Sequence, residues 1–190
     1  FAELEPQNID LFGVISGPGS FTGLRVGISA LKGLANSLQK PLYGINLLDQ
    51  VAASIGIATS VIVILEAGRG EIFSGLRQVS GAGFVEQLGD DLYGPPEPLL
   101  RTLSERLLSK LSDHASYPLI FAGPTAGRFA TLIRDIAREY SQTCEAVSAL
   151  SPSSPDWQIR QFTDNPAPNL AFHVGRLHAA GVEPTLLPYY

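Results

Sequence analysis

The residues best suited to chemistry lie in one run, Gly17-Pro18-Gly19-Ser20-Phe21-Thr22-Gly23-Leu24-Arg25-Val26-Gly27, between an apolar strand-like stretch and a helix-spaced one. Three readings are open. As a dinucleotide loop it approaches G-x-G-x-x-G, but the third glycine falls one residue late. No acidic residue closes the following strand, where a ribose would be held. As a phosphate loop it lacks the Lys of a Walker A sequence, although free N–H groups at a helix start do hold anions. As a plain turn, Pro18 and the glycines shape the chain while Ser20 or Thr22 caps the helix.

Other candidate constellations are poorer. His173 and His178 are five residues apart, so about 140° separates them on a helix, too far to clasp one ion as an i,i+4 pair does. His114 sits in a polar stretch before a strand, and all three histidines are expected to be structural. Ser20 has no partner histidine at a usable spacing and no G-x-S-x-G elbow occurs, so nucleophilic catalysis is not expected. Arg134 and Arg138 carry Asp135 and Glu139 between and beside them, as on an ordinary solvated face. Asp90-Asp91 would need several further oxygen ligands to hold a hard cation. Catalytic residues, metal ligands and cofactors are therefore all expected to be absent.

The positioning elements follow from hydrophobic periodicity. Asp10 to Ser16 reads as a strand, and from Leu24 the spacing Leu24, Ile28, Leu31, Leu34 reads as a helix to about residue 37. Leu42 to Ile45 is a second strand, and Asn46 an N-cap for a helix to about Ile55. Ser60 to Leu65 and Gly70 to Arg77 should form a hairpin, with Gly83 to Leu88 a third antiparallel strand. After the break at Gly94-Pro95-Pro96, Leu99 to Leu111 is amphipathic, with Leu99, Leu103, Leu107, Leu108 and Leu111 on one side. Leu119 to Ala122 is a strand, Thr125 caps a helix to about Tyr140, Ser148 to Pro168 is a surface loop, and Asn169 to Ala180 is a last helix. Strands alternating with helices plus an antiparallel insert imply an α/β fold with a mixed sheet.

Composition excludes several classes. Hydrophobic residues are 45% and charged residues 16%, which argues for a packed chain over disorder or a charged coiled coil. Thirteen basic against eighteen acidic residues give a net charge of -5, so nucleic-acid binding by the chain alone should be weak or nil. The single Cys144 cannot close an intrachain disulfide, which favours a cytoplasmic location. The longest apolar stretch, Ile55 to Leu65, is far short of the ~18–20 residues that span a bilayer. The chain has no Met and opens Phe-Ala-Glu-Leu-Glu, which reads as a fragment whose natural start lies upstream.

Gly23, Gly27, Ala30 and Gly33 fall on about one side of the helix after the loop. Either they let it lie flat on its own sheet, or they let another helix approach it closely. Its apolar arc exceeds the ~100° that a surface helix needs for its own core, which would share Leu24, Leu31 and Leu34 between the sheet and a partner.

GPGSFTGLRVG followed by ISALKGLA strongly resembles the bacterial TsaB (YeaZ) family of tRNA threonylcarbamoyladenosine biosynthesis proteins, relatives of the TsaD group once labelled glycoprotease or peptidase M22. The resemblance continues through Pro41-Leu42-Tyr43-Gly44-Ile45. It extends through Glu66-Ala67-Gly68-Arg69-Gly70-Glu71-Ile72-Phe73, where Glu66 and Gly68 depart from a family stretch usually beginning Asp-Ala-Arg. Pro184 to Tyr190 looks like the family's closing strand. The implied fold is of the actin/Hsp70 type, with RNase H-like mixed-sheet lobes and an incomplete N-terminal lobe. Residues 1–58 would be the remainder of that lobe and 59–190 the C-terminal lobe. The implied function is a non-catalytic scaffold supporting TsaD in threonylcarbamoyl transfer to adenosine 37 of tRNA. A self-sufficient ATP- or metal-dependent enzyme of the actin-like group is the alternative. Implied partners are a TsaD-like subunit, a TsaE-like ATPase, and in isolation a second copy. The implied interface is Gly17, Pro18, Gly19, Ser20, Phe21, Thr22, Gly23, Arg25, Gly27, Ala30, Leu31 and Leu34, with no membrane contact.

Overall fold

The apolar run around Val14 forms strand β1 (Phe12–Gly17), which pairs in parallel with β2 (Leu42–Asn46) through helix α1 (Phe21–Ser37). The computed structural model describes residues 5–56, 59–110, 119–143, 157–161 and 167–184. A 3-10 turn, Pro6–Asn8, precedes β1. Asn46 caps α2 (Leu47–Ala53) as expected, its side-chain oxygen accepting from the Leu48 N–H at 2.8 Å. That helix stops two residues short of the expected Ile55.

The hairpin strands are β3 (Thr59–Gly68) and β4 (Glu71–Val79), antiparallel in register from Thr59–Val79 to Glu66–Ile72. Val61, Ile62, Val63 and Ile64 are wholly buried, as a β-branched run in a central strand must be. The turn is Arg69-Gly70, both at positive φ, the backbone that a tight two-residue hairpin loop demands. β5 (Val85–Gln87) adds to β4 as expected. β6 (Leu92–Gly94) also pairs with β4 and was not anticipated. Helix α3 (Pro96–Lys110) buries Leu100, Leu103 and Leu107, so Leu100 takes the central place expected of Leu99 and Leu108, which are half-buried. Leu111 and His114 lie outside the described residues.

β7 (Ile120–Ala122) runs parallel to β3, and β8 (Gln158–Arg160) parallel to β7. β8 falls inside the stretch expected to be a surface loop, since three alternating residues gain strand geometry only from pairing. Residues 148–156 and 162–166 of that stretch, and all but the first residue of the closing strand expected over Pro184 to Tyr190, lie outside the described residues. Thr125 is not a side-chain cap. A 3-10 turn, Ala126–Phe129, follows it before helix α4 (Ala130–Thr143). The last helix, α5 (Ala167–Ala179), begins two residues earlier than expected.

The chain forms two compact units, residues 1–50 with 165–190, and residues 51–164. Helix α5 thus goes with the first unit instead of with 59–190 as a whole, because Leu170, Val174 and Leu177 pack with Leu11, Ile15, Tyr43 and Ile45. The second unit is a six-stranded mixed sheet, β5-β4-β3-β7-β8 with β6 also on β4, and α3 and α4 pack on its core.

One charge lies inside that core. Arg77 of β4 is wholly buried and grips Asp91 with two hydrogen bonds of 2.7 and 3.0 Å. Two residues earlier on the same face, a Cβ at Gly75 would overlap the Asp91 carboxylate and approach Arg77 Nη1 to 2.7 Å. Glycine leaves the space that the pair occupies. Asp91 keeps 30% of its side chain in solvent, so it is the loss of the carboxylate from the wholly buried guanidinium that is costly, at about 3 kcal/mol. Asp91→Ala and Gly75→Val should each lower stability by roughly that amount in chemical denaturation. A loss under ~0.5 kcal/mol for both would show the pair to be dispensable.

Candidate functional site

The glycine loop between β1 and α1 is built as a turn and a cap. The Ser20 hydroxyl accepts from the Gly23 N–H at 3.4 Å, and the Ser20 carbonyl from the Leu24 N–H at 2.8 Å. Ser20, not Thr22, is therefore the N-cap, and the helix starts at Phe21, three residues before the apolar spacing becomes regular. Gly17 and Gly19 lie over Leu24, where an added Cβ would make ordinary contacts of 3.7 and 3.8 Å. The Gly17–Pro18 peptide is cis. Gly19 through Gly23 are exposed.

Helix α1 presents three sides. Ile28 and Ala35 are buried and Leu24 and Leu31 half-buried, and this side packs on Val14 and Leu42. A polar arc carries Lys32, Arg25, Asn36, Ser29 and Thr22. The third side holds Gly33, Val26, Ser37, Ala30, Gly23, Leu34 and Gly27, an arc of about 120° at 100° per residue. It carries no charge. Val26 is 65% exposed and Leu34 37% exposed, while a Cβ built on Gly27 or Gly33 would meet nothing within 4 Å. Gly27, Ala30 and Gly33 therefore do not lie on the sheet, and Leu34 belongs to the open side instead of being shared with it. At the start of the helix Phe21 is 65% exposed, with the Arg25 guanidinium 3.8 Å from its ring centroid. Val26 escaped the sequence reading because it is off the Leu24-Ile28-Leu31 row. A helical wheel drawn for the small residues alone would have found it.

The polar candidates are engaged separately. His173 is buried with Nδ1 3.1 Å from Gln50 Oε1, while His178 Nδ1 lies 2.9 Å from the Tyr43 hydroxyl. Burial holds the His173 imidazole below its usual pKa, Arg176 adds to this, and Asp49 opposes it. Arg138 pairs with Asp135 at 2.9 Å, and Glu139 with Arg101, which holds the Glu139 carboxyl below its usual range. Asp91 serves Arg77, and Glu66 pairs with Arg128 at 2.8 Å. Among the described residues no three of His, Cys, Asp and Glu gather as metal ligands, and no described helix is long and apolar enough to cross a membrane.

Residues 1–152 match the family model described as TsaD, tRNA N6-adenosine threonylcarbamoyltransferase. The TsaB protein of Bacillus subtilis is 30% identical over 135 residues, which is 70% of this chain and 55% of that protein. The chain belongs to the TsaB/YeaZ family, within the wider TsaD group. The TsaB protein of Escherichia coli K12 is 38% identical over 60 residues, 30% of this chain and 26% of that one. YeaZ from Pseudomonas aeruginosa, a solved structure, superposes with a TM-score of 0.60 at 22% identity, covering 98% of this chain and 77% of the other. That likeness bears on the fold, which is of the actin-like, RNase H-like type expected. The chain spans about half the length of its Bacillus TsaB relative.

The empty space beside Gly27 contrasts with Gly13 on β1, where a Cβ would stand 2.6 Å from Val174 Cγ2. Gly27→Ala should raise stability by about 0.5–1 kcal/mol, the helix-propensity difference, whereas Gly13→Ala should lower it through overpacking. Denaturation midpoints check both. Destabilisation by Gly27→Ala would mean that its side of α1 is not open.

Proposed function

We propose that this chain is a non-catalytic, cytoplasmic subunit of TsaB type. It supports a TsaD-type enzyme in threonylcarbamoyl transfer to adenosine 37 of tRNA and docks through the open side of helix α1. The observation carrying the reading is that side itself: a charge-free arc with Val26 and Leu34 exposed and empty space over Gly27 and Gly33. Small residues admit a partner helix to short range, and the exposed Val26 and Leu34 on the same side give it apolar surface to cover. In the absence of the enzyme the same arc pairs with a second copy. Gly17 through Gly23 set the position of the arc by capping α1, while Arg25 stacks on Phe21 at the start of the helix, away from the arc. A TsaE-like ATPase is a further partner of the assembly.

The non-catalytic part is supported by how the polar side chains are used. His173, His178, Glu66, Asp91 and Glu139 each meet a protein group that holds the fold. The acidic balance of the chain leaves tRNA to the partner.

Gly27→Arg tests the interface, because the open space lets the isolated subunit keep its fold while a long charged side chain obstructs a close helix. The variant should sediment as a monomer where the parent is a dimer, and lose at least ~100-fold in affinity for a TsaD-type subunit. Unchanged association in a folded variant would remove α1 from the interface. With threonylcarbamoyl-adenylate and tRNA, the chain alone should leave the tRNA unmodified, and adding it to a TsaD-type enzyme should raise modification. Turnover by the chain alone, or an upward thermal shift with ATP and Mg²⁺, would favour the self-sufficient enzyme.

A further inference from the structure

The parallel ladder uses only one edge of β1. The Phe12 N–H donates to the Pro41 carbonyl at 2.9 Å, and Phe12 and Val14 stand opposite Leu42 and Gly44. Residues alternate along a strand, so the N–H and C=O groups of Gly13 and Ile15 point away from β2. Among the described residues nothing pairs with that edge. Natural edge strands are commonly guarded by a charge or a proline, and Phe12–Gly17 carries neither. Gly13 and Ile15 are half-buried, so another strand has access to them.

The open side of α1 overhangs the same edge. A parallel crossover is right-handed. With α1 in front of the sheet and β2 to the right of β1, the helix therefore turns Lys32 and Arg25 toward β2, and Leu31, Gly27 and Leu34 toward the unpaired edge. Burial agrees: Leu24 and Leu31, on the edge side of the stripe, are half-buried, while Ile28 and Ala35, on the β2 side, are buried. Val14 shares one cluster with Ile28, Leu24 and Leu31, so α1 passes the middle of the β1 edge at the level of Gly27 and Ala30.

We propose that the unpaired edge of β1 and the open side of α1 form one self-complementary surface whose occupant is a second copy of this chain, joined strand to strand and helix to helix about a single two-fold. This rests on the self-pairing of α1 put forward above and adds the strand to it. With the two-fold at Val14 and the strands antiparallel, Gly13 lies opposite Ile15 of the second copy, and every N–H and C=O that the two residues turn outward is matched. Val14 meets its own counterpart, a β-branched pair across the ladder. The paired strands stand about 4.8 Å apart, and a helix seated midway between β1 and β2 lies half a spacing inside, which puts the two α1 axes about 10 Å apart. Because α1 rests mainly on β1, the axes come closer still, and only small, uncharged residues fit between them. Gly27 and Ala30 of the two copies stand there. The exposed Leu34 of each copy then lies beside Gly23 of the other, where no side chain obstructs it.

Residue-resolved amide exchange by NMR on the full chain, in the associated state and after dilution to the monomer, tests the pairing. The Gly13 and Ile15 amides should slow by at least ~10-fold on association, while those of Phe12 and Val14, which face β2, stay protected in both states. Gly27→Arg should hold the chain monomeric and return Gly13 and Ile15 to the rates of the diluted parent; should that variant not fold, dilution alone decides. A dimer in which these two amides exchange as in the monomer would overturn the strand pairing and leave the self-pairing of α1 standing. Protection of both amides in the monomer would mean that the edge is covered within one chain, and refutes the proposal equally. A parent that stays monomeric at every concentration would overturn the strand pairing together with the self-pairing of α1.

Discussion

Strand β1 has a helix on each face, and the first unit depends on its serving both. Alternation sends Val14 toward α1, and Gly13 and Ile15 toward α5. A slip of one residue would exchange the two faces, place Val14 where only glycine fits beside Val174, and strip Ile28 of its support. The register with β2 guards against this, since Leu42 continues the α1 face while Tyr43 and Ile45 continue the α5 face. The open side of α1 is therefore aimed by contacts on its opposite flank: Ile28 and Ala35 fix the rotation of the helix, and whatever they do not use is left outward.

Much of this was legible in the sequence because it rests on local signals. The run Ser60 to Leu65 announces a buried strand by β-branching alone, and Asn46 and Ser20 announce helix starts by capping chemistry. The features that escaped are those whose cause lies far along the chain. Strand β8 is Gln-Ile-Arg, which carries no strand signal until β7 offers it a ladder. Leu99 and Leu100 are interchangeable by spacing, and only the arrangement of the sheet beneath decides that Leu100 is buried. Nothing near Arg77 in the sequence marks it as buried, because its partner Asp91 stands fourteen residues on.

The candidate site divides in the same way. That α1 is apolar over more arc than its own core needs could be counted from the sequence, and the family resemblance named the loop and the helix. Which residues stay outward could not be counted. It required the rotation that Ile28 and Ala35 impose, which moved Leu34 to the open side and brought in Val26. Charged pairs follow a related divide. Surface contacts such as Arg138–Asp135 were visible from spacing and contribute little, whereas the pair of buried Arg77 with Asp91 and the buried His173–Gln50 contact were invisible and constrain their surroundings more.

Three glycines in α1 bear on the motion of the open side. Gly23, Gly27 and Gly33 each cost a helix about 1 kcal/mol relative to alanine. Helix α1 therefore holds its shape chiefly because Leu24, Ile28, Leu31 and Ala35 rest on the sheet, and the flank away from the sheet is the weaker one. Fraying of its turns competes with order whenever that flank is bare. A molecule that lies along it takes up the missing constraint, so the tightness of any such contact includes the work of stiffening the helix, and rate and affinity respond to glycine content even at positions the other molecule never touches.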